Sequence, residues 1–128
     1  MFMILISSLL WAAPPAKKKK SKGAYKNRDH MRLPALEKGQ LLYGELCWQC
    51  HGKKGLGDGP LAKSLSVAPP PLAGVSAKGY SKMITLIQQG KLSMPAYAEL
   101  IDKHDSKKIL QWLSSLDSKT GESKKSLK

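Results

Sequence analysis

Apolar residues recur at helical spacing in three separate stretches of the chain, and no run alternates as a half-buried strand would. Leu36, Gly39, Leu42, Tyr43 and Leu46 predict a first helix from near Ala35 into Cys47. Met83, Ile84, Leu86 and Ile87 predict a second over residues 81–89, closed by Gly90, a residue type that readily ends helices. Ile109, Leu110, Trp112, Leu113 and Leu116 mark the inner side of a third, with Asp105 expected to cap its start. Between the first two, Gly52, Gly55, Gly57, Gly59 and Pro60 predict an irregular loop. A short helix is expected over Leu61 to Leu65, and three consecutive prolines force residues 68–73 into extended backbone. The pattern predicts an all-α domain, residues 33–117, in which loops take a large share.

The two ends read differently. Phe2 to Ala13 is an apolar run too short to span a bilayer, for which roughly 20 residues are needed, but long enough for a signal peptide. Residues 1–16 are therefore expected to direct export, to the periplasm or the outer face of the cytoplasmic membrane, and residues 17–32 to form a Lys-rich flexible linker. Residues 118–128 are expected to be a disordered basic tail.

Charge divides along the same lines. The 128 residues carry a formal net charge of +13. The span 33–117 contributes only ten lysines against seven acids, and the ends contribute twelve basic residues against two acids. Most of the positive charge thus lies outside the domain, which suggests that any long-range attraction to an acidic partner or an anionic membrane resides in the ends. No basic patch is interleaved with aromatics and no DNA-reading helix is evident, so nucleic-acid binding is not expected. With one Phe, three Trp and four Tyr, the domain has few large side chains to fill its interior, and a prosthetic group is a natural complement.

The chemistry concentrates in Cys47-Trp48-Gln49-Cys50-His51. Two thiols at this spacing can add to the two vinyl groups of one haem, while the next residue turns its imidazole onto the iron. A dithiol–disulfide site would not require His51 and usually lies between a strand and a helix. A structural zinc site would need further ligands, and the chain has no third cysteine. His30 falls in the linker, and His104 reads as a solvated residue before the last helix. A soft thioether is a suitable second iron ligand. Met94, followed by Pro95 on a non-helical stretch after Gly90, is the better candidate; Met83 shares a helix with Ile84 and Ile87 and reads as core.

The ordered series Cys47 to Gly52, Gly55, Gly57, Asp58, Gly59 and Pro60, then Gly90, Met94-Pro95, Ile109 and Trp112, resembles the small bacterial class I cytochromes c, over roughly Leu36 to Leu116. The resemblance implies a cytochrome c fold of about three to five short helices around one covalently bound haem c. It implies His51 and Met94 as the axial iron ligands, and Pro60 as the residue whose carbonyl accepts a hydrogen bond from the histidine's other nitrogen. It also implies that Gly39 and Tyr43 pack against Ile109 and Trp112, and that Pro69, Pro70, Pro71 and Leu72 line the haem. Tyr80 and Tyr97 are candidate donors to the haem propionates.

With both axial positions filled, no site is left for oxygen, peroxide or substrate, and electron exchange through the haem edge is the expected function. The partners would be redox proteins, a donor dehydrogenase or cytochrome complex and an acceptor oxidase or reductase, and the carrier a monomer. A gas-binding sensor or a peroxide-reducing enzyme would require an open iron position. A fixed electron-transfer subunit of a respiratory complex would use the same chemistry without diffusing.

Overall fold

The computed structural model describes residues 32–124 of the chain. The expected signal segment, nearly all of the linker and the last four residues lie outside them. Among the described residues there are four α-helices: α1 (Ala35–Leu46), α2 (Trp48–His51), α3 (Tyr80–Gln89) and α4 (Lys103–Ser114). Two single 3-10 turns, Ala62–Ser64 and Ala77–Gly79, complete the helical content. Among the described residues there is no strand, only isolated β-bridges joining Lys91 to Met94 and Leu116 to Ser123. The fold is all-α, as the hydrophobic pattern requires.

Helices α1 and α4 are the main packed pair. Leu42 and Tyr43 of the first meet Ile109, Leu110 and Leu113 of the second in one buried cluster with Ile101 and Leu116. Close approach depends on Gly39, because a Cβ there would stand 2.1 Å from the Lys108 carbonyl oxygen. One turn further on, the rings of Tyr43 and Trp112 pack at 4.8 Å between centroids with a tilt of 46°, a favourable arrangement for aromatic quadrupoles.

A buried charge cluster joins the same two helices. Lys38 Nζ lies 2.7 Å from Asp105 Oδ1, and Lys108 Nζ is 3.1 Å from the same oxygen. Lys38 and Asp105 are only 5% and 7% exposed. Burial pushes the Asp105 carboxyl up, but hydrogen bonds and charge from Lys38 and Lys108 outweigh it and hold the group below the ordinary carboxylate value.

Three expectations about boundaries change. The first helix stops at Leu46, and Cys47 is a hinge from which α2 starts again. The cap of the last helix is Asp102, whose side chain accepts the Asp105 backbone N–H at 2.8 Å, so α4 begins before the residue expected to cap it. Residues 118–124 do not form a disordered tail. Asp117 Oδ1 accepts from the Lys119 and Thr120 amides, the chain turns at Gly121, and the Lys124 amide returns to the Ser115 carbonyl at 2.9 Å. A side chain at Gly121 would collide with Lys54, and Glu122 pairs with that lysine, so the turn is seated on the glycine loop.

Candidate functional site

Cys47 and Cys50 sit at the hinge and on α2, His51 ends that helix, and Gly52 (φ +82°) turns the chain away from it. The following loop is built around this short helix. Gly59 passes so near the Gln49 and Cys50 backbone that no Cβ would fit, and the Leu61 amide bonds the Gln49 carbonyl at 2.9 Å. The Gly57 amide bonds the His51 carbonyl at 2.8 Å, and Tyr43 Oη donates to the Gly52 carbonyl at 2.7 Å. Helix, loop and core thereby lock the orientation of the Cys-x-x-Cys-His segment.

The segment opens on a cavity of about 290 Å³ with an almost wholly apolar wall. Cys47, Cys50 and His51 border it on one part of that wall, and Met94 and Met83 on others. The two cysteines are not joined to each other. Burial, and then the neighbouring Cys50, push the Cys47 thiol up to about 12. Burial also lowers the basicity of His51, against the opposing effect of a backbone hydrogen bond, which favours the neutral imidazole that binds metals.

Met94 is positioned by its backbone. Its amide and carbonyl both bond Lys91 at 2.9 Å, closing a tight hairpin after α3. Gly90 (φ +71°) is required there, because a Cβ would lie within 2.8 Å of Met94, Pro95 and Ala96 backbone atoms. The Tyr97 amide then bonds the Ile87 carbonyl at 3.0 Å, which returns the chain to α3.

Over residues 34–113 the chain matches the family described as cytochrome c oxidase, cbb3-type, subunit III. It belongs to that family of c-type cytochrome domains. The chain has no significant match among curated proteins. Membership makes the domain a monohaem, class I-like cytochrome c that binds haem c covalently and serves haem-based electron transfer.

The residues present suit that group. One imidazole and two thioethers are borderline and soft donors that suit haem iron, two cysteine thiols suit its covalent attachment, and the apolar cavity they border has no carboxylate of the kind calcium or magnesium would need. No cluster of three or more His, Cys, Asp or Glu that could hold a metal ion occurs among the described residues.

Several expected supporting roles move to other residues. The carbonyl nearest His51 Nδ1, at 3.3 Å, belongs to Pro70; Pro60 is exposed at the end of the glycine loop and is not the acceptor. The cause is a close contact between two segments: Gly57 lets the Pro69–Pro71 backbone press against the loop, with the Pro69 carbonyl 2.6 Å from where a Cβ would be. Both tyrosine hydroxyls are engaged with protein groups. Tyr80 Oη donates to the Leu110 carbonyl at 2.9 Å and lies 2.7 Å from Ser114 Oγ, and Tyr97 Oη donates to the Leu46 carbonyl at 3.0 Å. Both tie α3 and its following turn to the main helix pair. Met83 packs against the core, as expected, but also borders the cavity. His104 is exposed on the first turn of α4.

Proposed function

We propose that the domain is an electron carrier in which Cys47 and Cys50 would hold the haem through thioether bonds and His51 and Met94 would ligate its iron. The observation that carries this reading is the convergence of all four side chains on one apolar cavity. When bound, haem c supplies an iron that accepts and releases one electron. The chain's own residues do the rest. Cys47 and Cys50 would hold the group through thioether bonds at its two vinyl positions. His51, held by the loop and by the Pro70 carbonyl, presents its Nε2 with a fixed ring orientation. Met94 supplies a thioether that favours the ferrous state and raises the potential. The apolar wall keeps water from the metal.

Export to the periplasm or the outer membrane face, exchange with a donor dehydrogenase or cytochrome complex and an acceptor oxidase or reductase, and a monomeric state complete the proposal. Among the described residues no helix is long and apolar enough to cross a membrane. The family match favours a second reading, in which the domain is a stationary electron-transfer subunit of an oxidase complex. Recovery after osmotic shock indicates a diffusing carrier; co-purification with a detergent-solubilised oxidase indicates a subunit.

Oxidised and reduced absorption spectra of the holoprotein test the ligand set. Met94→Ala should give a high-spin or water-ligated ferric haem, lower the potential and speed carbon monoxide binding. Met83→Leu should leave all three unchanged. The reverse pattern would exchange the roles of the two methionines.

A further inference from the structure

Past residue 113, where the family match ends, the chain makes one more turn. Asp117 shapes it. Its Oδ1 accepts the Lys119 and Thr120 amides at 2.9 Å each, its amide donates to the Glu122 carbonyl at 2.7 Å, and its carbonyl accepts the Gly121 amide at 2.8 Å. Gly121 (φ +64°) is buried, although Ser118, Lys119, Thr120 and Glu122 around it are exposed. Residues 117–122 have no apolar side chain to bury, so the seat of this turn is set by backbone fit.

The turn rests on two segments at once. Gly121 lies so close to Lys54 of the glycine loop that any Cβ would collide, and Ser118 packs on Gly74 (φ +73°), where a Cβ would stand 2.9 Å from the Ser118 Cβ. The Lys54–Glu122 ion pair adds little to this, because both side chains are more than half exposed. Lys54 and Gly74 belong to the two segments that support His51. Gly57 of the first donates to the His51 carbonyl, and Pro70 of the second offers its carbonyl to Nδ1. The segments meet at Gly55, whose carbonyl accepts the Leu72 and Ala73 amides at 2.7 and 3.0 Å. With Nε2 as the metal-binding nitrogen, Nδ1 carries the proton. Its distance of 3.3 Å to the Pro70 oxygen exceeds the usual N–H···O range, so a small separation of the two segments would break the bond.

We infer that the turn over residues 117–122 is a positioning element for His51: by bridging Lys54 and Gly74 it holds the Pro70 carbonyl within reach of Nδ1, and so tunes the ligand. The inference rests on the electron-transfer reading with His51 on the iron and deepens it. Donation of the Nδ1 proton to a carbonyl raises the basicity of the imidazole. A more basic ligand favours the ferric state, so a loosened turn weakens the bond and raises the reduction potential. Asp117 and Gly121, which lie outside the cavity wall, thereby act on the metal site through backbone alone.

Three variants of the full-length holoprotein provide the test. Asp117→Ala removes the acceptor that shapes the turn, Asp117→Asn keeps an Oδ1 able to accept the same amides, and Gly121→Val forces a side chain against Lys54. Proton NMR of the reduced protein follows exchange of the His51 Nδ1 proton with solvent, and a redox titration gives the potential. Exchange should be about tenfold faster in Asp117→Ala, the effect of losing one ordinary capping interaction, and the potential should rise. Gly121→Val should change both in the same direction, and Asp117→Asn should match the parent. Parent-like exchange and potential in both Asp117→Ala and Gly121→Val would overturn the inference and leave ligation by His51 standing. Acceleration shared equally by the Leu42 and Leu113 amides of the main helix pair would show general loosening and would overturn it too. Spectra of the parent without histidine ligation would instead overturn the electron-transfer reading itself.

Discussion

The α1–α4 interface and the Met94 wall solve opposite problems within one small domain. The first brings a glycine against a backbone carbonyl, stacks Tyr43 near Trp112 and buries a charge cluster, so that two helices have one way to meet. The second is made of loops, a polyproline stretch and a strained turn, and it exposes apolar side chains. A redox domain needs both. Its cofactor must be held without movement, since reorganisation would slow electron exchange, yet the face it offers to partners must bind briefly. Close packing is concentrated on one side, and exposed apolar surface on the other.

The contrast can be broken most severely at the charge cluster. Asp105→Ala strands Lys38 in the interface, and removing one partner of a buried pair costs about 3 kcal/mol or more. Because the folded carboxyl is held below its ordinary value, its contribution is complete above the unfolded pKa of about 3.9 and disappears as the pH falls through the lower folded value. Urea unfolding of the parent and the variant should differ by a constant amount near neutrality and converge in acid.

Gly39→Ala is the next test. The added Cβ would meet backbone rather than a flexible side chain, so the helices must separate, and overpacking of this kind costs about 2 kcal/mol. Thermal unfolding should show the loss, and the near-ultraviolet signal of Tyr43 and Trp112 should change with it.

The smallest effect has the opposite sign. Leu92→Asn should raise the stability by about 1 kcal/mol at most, because the left-handed backbone there (φ +53°) disfavours leucine. A gain at Leu92 beside the losses at Asp105 and Gly39 would set the two regions apart as the contrast requires. A loss of stability in the same denaturation experiment would show that Leu92 supports the hairpin.

Much of this was legible in the linear chain because it depends on local spacing. Three apolar patterns with a period near 3.6 fix the main helices, and Cys47, Cys50 and His51 carry their chemistry within five residues. Gly90 before Met94-Pro95 marks a break that brings a thioether out of helical register. What the sequence left open depends on long-range contact. The exchange of Pro60 for Pro70 at His51 arises because Gly57 admits the polyproline backbone, a contact between segments that spacing does not encode. Asp105 reads as a helix cap and Lys38 carries no signal of its own until α1 and α4 pack. Residues 118–124 are polar enough to suggest a loose tail, yet a capped turn seats them on the glycine loop. Leu92 has no turn signature such as Asn-Gly, so its positive φ follows only from closure of the hairpin between Gly90 and Met94. Local periodicity and covalent reach determined the helices and the haem-attachment motif. Only the tertiary structure decided which backbone supports the histidine, where the buried charges meet and which face is left open, because each depends on residues far apart in the chain and close in space.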